Sequence, residues 1–164
     1  MKTAAKRATP AALAVLRQAT ALAPKRKKAS DGLLPSAAHL KANPNSDHNI
    51  GLAADLTHDP KNGIDGAVIF KELQKDPRVK YLIFNRKIWQ KSTGVKKYTG
   101  SNPHTSHIHI SIKPAKANDT SPWLAFLGKP TKIGKLTSVF AVKPKKKPVL
   151  VCTCKTCPVH KKGK

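Results

Sequence analysis

The chain has 164 residues, with 32 Lys and Arg against 8 Asp and Glu, a net charge of +24. That length fits one domain with tails, and no apolar run approaches the ~20 residues a membrane-spanning helix needs. The three cysteines sit together at 152, 154 and 157, which excludes a disulfide framework beneath the rest of the chain.

The charge is uneven. Seven of the eight acids lie between Asp31 and Asp76 and the eighth is Asp119, after which come eleven lysines and no acid. Such a surplus implies a polyanionic partner: nucleic acid, anionic lipid or an acidic cell-wall polymer. Charge alone does not choose among them.

In chain order, Met1 to Arg7 is basic, Ala11 to Leu16 is apolar and Ala21-Leu22-Ala23 imitates a signal cleavage site. Arg17 and Gln18 interrupt that apolar segment, however, and Pro10 after Thr9 fits the first position of a capped helix better. A short Ala-rich helix is therefore expected over 10–23, with Leu13, Leu16, Ala19 and Ala23 as its apolar positions and Pro24 as its stop. Ser30-Asp31-Gly32 and Asn43-Pro44-Asn45 read as turns. Gly51–Leu56 reads as a buried strand of small residues, 65–75 as a helix, and Val79–Phe84 as a compact apolar strand. In 106–113, Ile108, Ile110 and Ile112 alternate with His107, His109 and Ser111, so a strand there puts the isoleucines on one face and the histidines on the other. Trp123–Leu127 is expected to close the domain as a short helix. The expected class is α+β, a small antiparallel sheet flanked by helices, divided into an N-terminal helix (1–24), a main domain (25–128) and a disordered Lys/Pro-rich tail (129–164).

Two segments carry the chemistry. Ser46 to Asp55 contains His48 and Asp55, and His104-Thr105-Ser106-His107-Ile108-His109 follows about fifty residues later. Histidine nitrogens and a carboxylate are ligands that a catalytic zinc takes from protein while keeping one position open. Asp55 lies in an apolar run, where a carboxylate is costly unless paired or bound to metal. His39 reads as a neighbour of such a site or as plain surface, and His58 as a loop residue. The tail spacing Cys152-x-Cys154-x-x-Cys157-x-x-His160 offers enough soft ligands for a structural zinc. It is tight, though, and free thiols on a flexible tail are the favoured reading.

The pattern Ser46-x-His48-x-x-Gly51-x-Ala53-x-Asp55, followed by His107-x-His109, resembles the zinc peptidase superfamily of lysostaphin-type enzymes, D-Ala-D-Ala peptidases and the hedgehog domain. The resemblance covers about residues 25–128. It resembles in particular small phage peptidoglycan peptidases, through Asn102-Pro103-His104-Thr105-Ser106-His107-Ile108-His109. It implies a hedgehog- or D-Ala-D-Ala-peptidase-like fold, Zn2+ held by His48, Asp55 and His109, His107 as general base and His104 as a further active-site histidine near the oxyanion. The D-Ala-D-Ala branch places a Glu base three residues before the last ligand. Ser106 stands there instead, and the only Glu of the chain is Glu72. Relatives hold a substrate carboxylate with an upstream Arg, and Arg26 is the weak candidate by position. The expected activity is hydrolysis of peptidoglycan peptide bonds, as endopeptidase or carboxypeptidase. The enzyme would be phage-encoded, made in the host cytoplasm and acting on the cell wall, with the basic tail drawn to anionic wall polymers and no specific nucleic acid bound. The alternatives are a basic nucleic-acid-binding protein or a His-metal nuclease. Few aromatics interleave the lysines to stack bases, and both alternatives leave the Asp55 to His109 pattern unexplained.

Overall fold

The computed structural model describes residues 4–128; the basic tail and its Cys cluster lie outside the described residues. The class is α+β. Helices α1 (Pro10–Leu22), α2 (Ala37–Ala42) and α3 (Gly66–Leu73) accompany strands β1 (Ala53–Thr57), β2 (Val79–Phe84), β3 (Lys87–Gln90), β4 (Gly94–Lys97) and β5 (His107–Ile112). The strands form one sheet in the order β1-β5-β2-β3-β4, every pair antiparallel.

Alternation along β5 decides which way the sheet faces. Ile108, Ile110 and Ile112 are fully buried and join Ala54, Leu56, Leu82 and Phe84 in one core with α1 and α3. The other face carries His107, His109 and Ser111, set opposite Thr57, Asp55 and Ala53 of β1. Tyr81 and Ile83 of β2 lie opposite Ser111 and His109 on the same face.

α1 begins where expected, with the Thr9 side chain accepting from the Ala12 N–H and Pro10 in the first turn. Its buried stripe differs from the expected one. Ala11, Ala12, Ala14, Val15 and Ala19 are buried while Leu13 and Leu16 sit at the margin. Small side chains bring the helix axis close to the sheet, and the leucines cover the edges of the contact. α1 thereby belongs to the same core as the strands.

Gly51 locks this arrangement. Its φ is +71°, and a Cβ there would stand 2.7 Å from the Arg7 carbonyl oxygen. The segment before α1 runs directly across it, with the Thr9 N–H donating to the Gly51 carbonyl at 3.0 Å and the Ala5 N–H to Asn49 at 2.7 Å.

Other boundaries shift by a residue or two. The first strand is Ala53–Thr57, and Asp65 caps α3 by accepting from the Ala67 N–H at 2.8 Å. The closing segment is a 3₁₀ turn at Ala125–Gly128 and not an α-helix. Trp123 anchors it from 2 % exposure, with the Arg78 guanidinium 3.7 Å over its ring. β3, β4 and α2 have no counterpart in the sequence expectation. All of α2 lies outside the core, and β4 exposes Val95, Lys96 and Lys97, so neither carries a hydrophobic period.

Candidate metal centre

Four elements build the site. His48 lies in a 3₁₀ turn at Asp47–Ile50, capped by the Ser46 hydroxyl, which accepts from the His48 N–H at 3.3 Å. Asp55 sits at the middle of β1 opposite His109 of β5. On its other side β1 is bonded by Gly32, whose N–H donates to the Asp55 carbonyl at 3.0 Å and whose carbonyl accepts from the Asp55 N–H at 2.8 Å. Both backbone groups of Asp55 are thus held by Gly32, on the edge away from β5. His107 follows from the period of β5, and His104 comes from the loop ahead of it.

The three expected ligands converge. His48 Nε2 is 3.2 Å from Asp55 Oδ2 and 3.2 Å from His109 Nδ1, and His109 Nδ1 is 2.9 Å from Asp55 Oδ1. Proton positions sharpen this. A carbonyl oxygen can only accept, so the 3.0 Å contact of His48 Nδ1 with the Leu33 carbonyl puts the ring hydrogen on Nδ1. In neutral His48 the Nε2 lone pair then faces the Asp55 carboxylate and the His109 ring together. Such a set calls for a cation between its members, a shared proton or a metal ion. Tetrahedral zinc with bonds of about 2.0 Å separates its ligand atoms by about 3.3 Å, close to the spacings found. The backbone carbonyl behind His48 is also the kind of partner that fixes the tautomer of a metal-binding histidine. The residues present fit a zinc ion.

The surroundings hold these rings in place. Tyr81 stacks on His109 with centroids 5.4 Å apart and planes 18° from parallel. His109 Nε2 is buried with no hydrogen-bond partner among the described residues, so stacking and the Asp55 contact orient the ring. Asp47, next to His48, is buried and accepts from Lys80 Nζ at 2.9 and 3.0 Å and from the Ser111 hydroxyl. A register shift between Val79 and Tyr81 leaves Lys80 as the extra residue of β2, able to reach Asp47. Burial, then the Asp47 charge, raises the pKa of the Tyr81 phenol. No site role was read from the sequence for Tyr81, Asp47 or Ser111, although the alternation in β5 already places Ser111 on the face of the histidines. His39 is a neighbour of the site: its Nε2 lies 3.0 Å from the Ser46 hydroxyl and its ring meets His48 edge-on at 5.7 Å. His58 takes a loop role, accepting the Gly66 N–H at 2.9 Å at the start of α3.

His107 and His104 stand beside the ligand set. His107 Nε2 is 3.8 Å from Asp55 Oδ2, its Nδ1 is 3.1 Å from the Ser106 hydroxyl, and its ring lies 4.9 Å from that of His104. Burial is the main cause lowering its pKa, against the pull of Asp55. His104 has φ +52°, a left-handed conformation held by its N–H donating to Asn102 Oδ1 at 3.0 Å. Its Nδ1 donates to the Asn102 carbonyl at 2.7 Å, which leaves Nε2 as the lone-pair nitrogen of the neutral ring. Burial, then the neighbouring His109, pushes its pKa down to about 4. Its Nε2 is therefore the ring atom left to meet a substrate group.

Asp55 is ionised. Burial opposes this, but the hydrogen bonds and charges of His109 and His48 outweigh it and hold the carboxyl well below the usual range. The same pairing raises the pKa of His48 against the effect of burial.

Arg26 stands apart from this group. It is 5 % exposed, and its guanidinium pairs with Asp31 through Nη1–Oδ1 at 2.9 Å and Nη2–Oδ2 at 2.6 Å. The Thr20 hydroxyl and the carbonyls of Leu16 and Lys27 take its other bonds. Asp31 in turn accepts from the Thr57 N–H and hydroxyl, so the pair ties the loop after α1 to β1.

A family model described as VldE, C-terminal domain, matches residues 4–109, well over half of the chain. The chain belongs to the VldE C-terminal domain family. No curated protein and no solved structure matches it. The family match runs from the segment before α1 to His109 in β5, and so takes in His48, Asp55, His104, His107 and His109.

Proposed function

We propose that this chain is a zinc metallopeptidase that hydrolyses peptide bonds of bacterial peptidoglycan, an endolysin-type enzyme acting on the wall. The observation that carries the reading is the convergence of His48, Asp55 and His109, whose ligand atoms all lie within 4.8 Å of one another. The Ser46 to Asp55 pattern and His107-x-His109 add a motif resemblance, and a hedgehog- or D-Ala-D-Ala-peptidase-like fold is part of the same proposal. His48, Asp55 and His109 would hold the ion. When bound, zinc supplies Lewis acidity, polarising a carbonyl and acidifying water.

The remaining chemistry belongs to the chain. His107 and His104 supply lone-pair nitrogens for the proton that a water nucleophile must lose and a leaving amine must gain. His107 is the better general base by position, since its Nε2 approaches the ligand carboxylate at 3.8 Å. Asn102 holds His104 at both its N–H and its Nδ1. Tyr81 and the Leu33 carbonyl orient the ligand rings, so little reorganisation is left for the reaction.

The test is metal content and lysis measured together. His48→Ala, Asp55→Ala and His109→Ala are expected to lose both bound zinc and release of muropeptides from purified sacculi. His107→Ala is expected to retain zinc and lose turnover by ~10²–10⁴-fold. A purified chain without zinc affinity, or muropeptide release unchanged by a chelator, would overturn the proposal.

A further inference from the structure

We infer that the β3–β4 hairpin is a docking surface for a flexible phosphate-bearing polymer of the cell wall; the choice of a wall partner rests on the peptidase reading above. Residues 85–97 hold Arg86, Lys87, Lys91, Lys96 and Lys97 and no acid. All five cations are exposed, and all but Lys91 line a depression of about 350 Å³. Lys87 stands directly opposite Lys97 across the two strands. Like charges so placed repel one another and lower stability, and a bound anion relieves them.

The acidic side chains of the chain are all engaged elsewhere. Asp31, Asp47 and Asp76 hold Arg26, Lys80 and Arg78, Glu72 holds Lys75, and Asp55 faces the histidines. Asp59, Asp65 and Asp119 accept from backbone N–H groups. These are all eight acids, so a partner molecule has to supply the anions that the hairpin meets.

The side chains indicate which anions. Four of the five cations are lysines, compact charges on flexible stems that follow a mobile row of phosphates without the fixed fork of arginine. A surface built for single-stranded nucleic acid also offers rings on which bases stack. Here Trp89 packs against the core and Tyr98 meets His104 edge-on, so neither ring is presented among the lysines.

The surface adjoins the candidate metal centre. Asp55, His109, Ile83, Ile88 and Lys96 are register partners in one row across the sheet. At ~4.8 Å per strand, the Lys96 backbone lies about 14 Å from that of His109. In the turn leading into β3, the Asn85 N–H donates to the His104 carbonyl and the Arg86 N–H to the Pro103 carbonyl, both at 2.9 Å. A polymer held on the hairpin would therefore keep the cleft against the wall.

The experiment measures binding of the full chain to purified sacculi that retain their phosphodiester polymers, and to the same sacculi stripped of them. Two triple variants are compared with the parent. One is Lys87→Gln/Lys96→Gln/Lys97→Gln on the hairpin. The other, Lys25→Gln/Lys61→Gln/Lys71→Gln, removes equal charge from exposed positions elsewhere. The hairpin variant is expected to bind intact sacculi at least ~10-fold more weakly at low salt, and the control variant within about twofold of the parent. Both differences should close near 1 M salt, where charges are screened beyond about 3 Å. Stripped sacculi should bind the parent and the hairpin variant alike. With the Lys87–Lys97 repulsion gone, the hairpin variant is expected to melt no lower than the parent. Equal losses in the two variants would reduce the effect to net charge and overturn the inference, as would undiminished binding of the hairpin variant to intact sacculi. A loss confined to duplex DNA would assign the hairpin to nucleic acid and overturn it too. Muropeptide release is read in parallel: zinc-dependent release with undiminished hairpin-variant binding sinks the inference alone. Hairpin-specific binding without any release sinks the peptidase reading alone.

Discussion

Asp47 and His48 are neighbours in sequence with different tasks. His48 turns its Nε2 to Asp55 and His109, while Asp47 faces away to Lys80 and Ser111. Through these partners and the Tyr81 phenol, Asp47 steadies the ring stacked on His109. Groups that orient metal-binding histidines are typically worth 10–100-fold in metal affinity. Asp47→Ala is therefore expected to weaken zinc binding by about that factor in a chelator competition. Asp47→Asn keeps an acceptor for Ser111 and should recover most of the loss. Unchanged affinity in Asp47→Ala would reduce the cluster to a structural role. None of this was legible in sequence, because a buried Asp beside a candidate ligand looks like any turn Asp until β2 and β5 arrive next to it.

At the scale of elements, the site depends on how closely two backbone segments approach. The segment before α1 crosses the turn that carries His48, and Gly51 is where they touch. Gly51→Ala meets a left-handed φ of +71° and a carbonyl oxygen 2.7 Å from its new carbon. The conformational cost alone is about 1–2 kcal/mol, and the clash adds to it. A fall in unfolding free energy of more than about 1 kcal/mol is expected in urea titration, and an unchanged midpoint would show that this crossing yields freely. β5 was readable because its isoleucines keep a strict period of two between two other strands. β3 and β4 were not, since they form the outermost hairpin of the sheet, with β4 at its edge and lysines outward. The turn that joins β2 to β3 is also disguised. Asn85 and Arg86 both have positive φ, of 44° and 60°, in a place where Asn-Gly is the usual signal.

For the whole molecule, the Arg26–Asp31 pair predicts how stability responds to acid. Burial acts to raise the Asp31 pKa, but the Arg26 and Thr57 hydrogen bonds outweigh it, so the folded value lies below the ordinary 3.8. A depressed folded pKa stabilises above the unfolded value, and that contribution is lost as pH falls through the folded one. Asp31→Asn should therefore lower the Tm at pH 7, with the deficit closing as pH drops below about 3.8. A deficit independent of pH would assign Asp31 a packing role only. Taken alone, the sequence determined the α+β class, the main apolar strands, the face on which His107 and His109 lie, and the residue types of the candidate site, because local period and residue chemistry survive without neighbours. Tertiary structure decided the rest. It brought His48, Asp55 and His109 within hydrogen-bond range and set the tautomers of His48 and His104 through the Leu33 and Asn102 carbonyls. It also engaged Arg26 with Asp31. Those outcomes depend on which groups meet across the folded chain, and local pattern carries no record of distance between residues fifty apart.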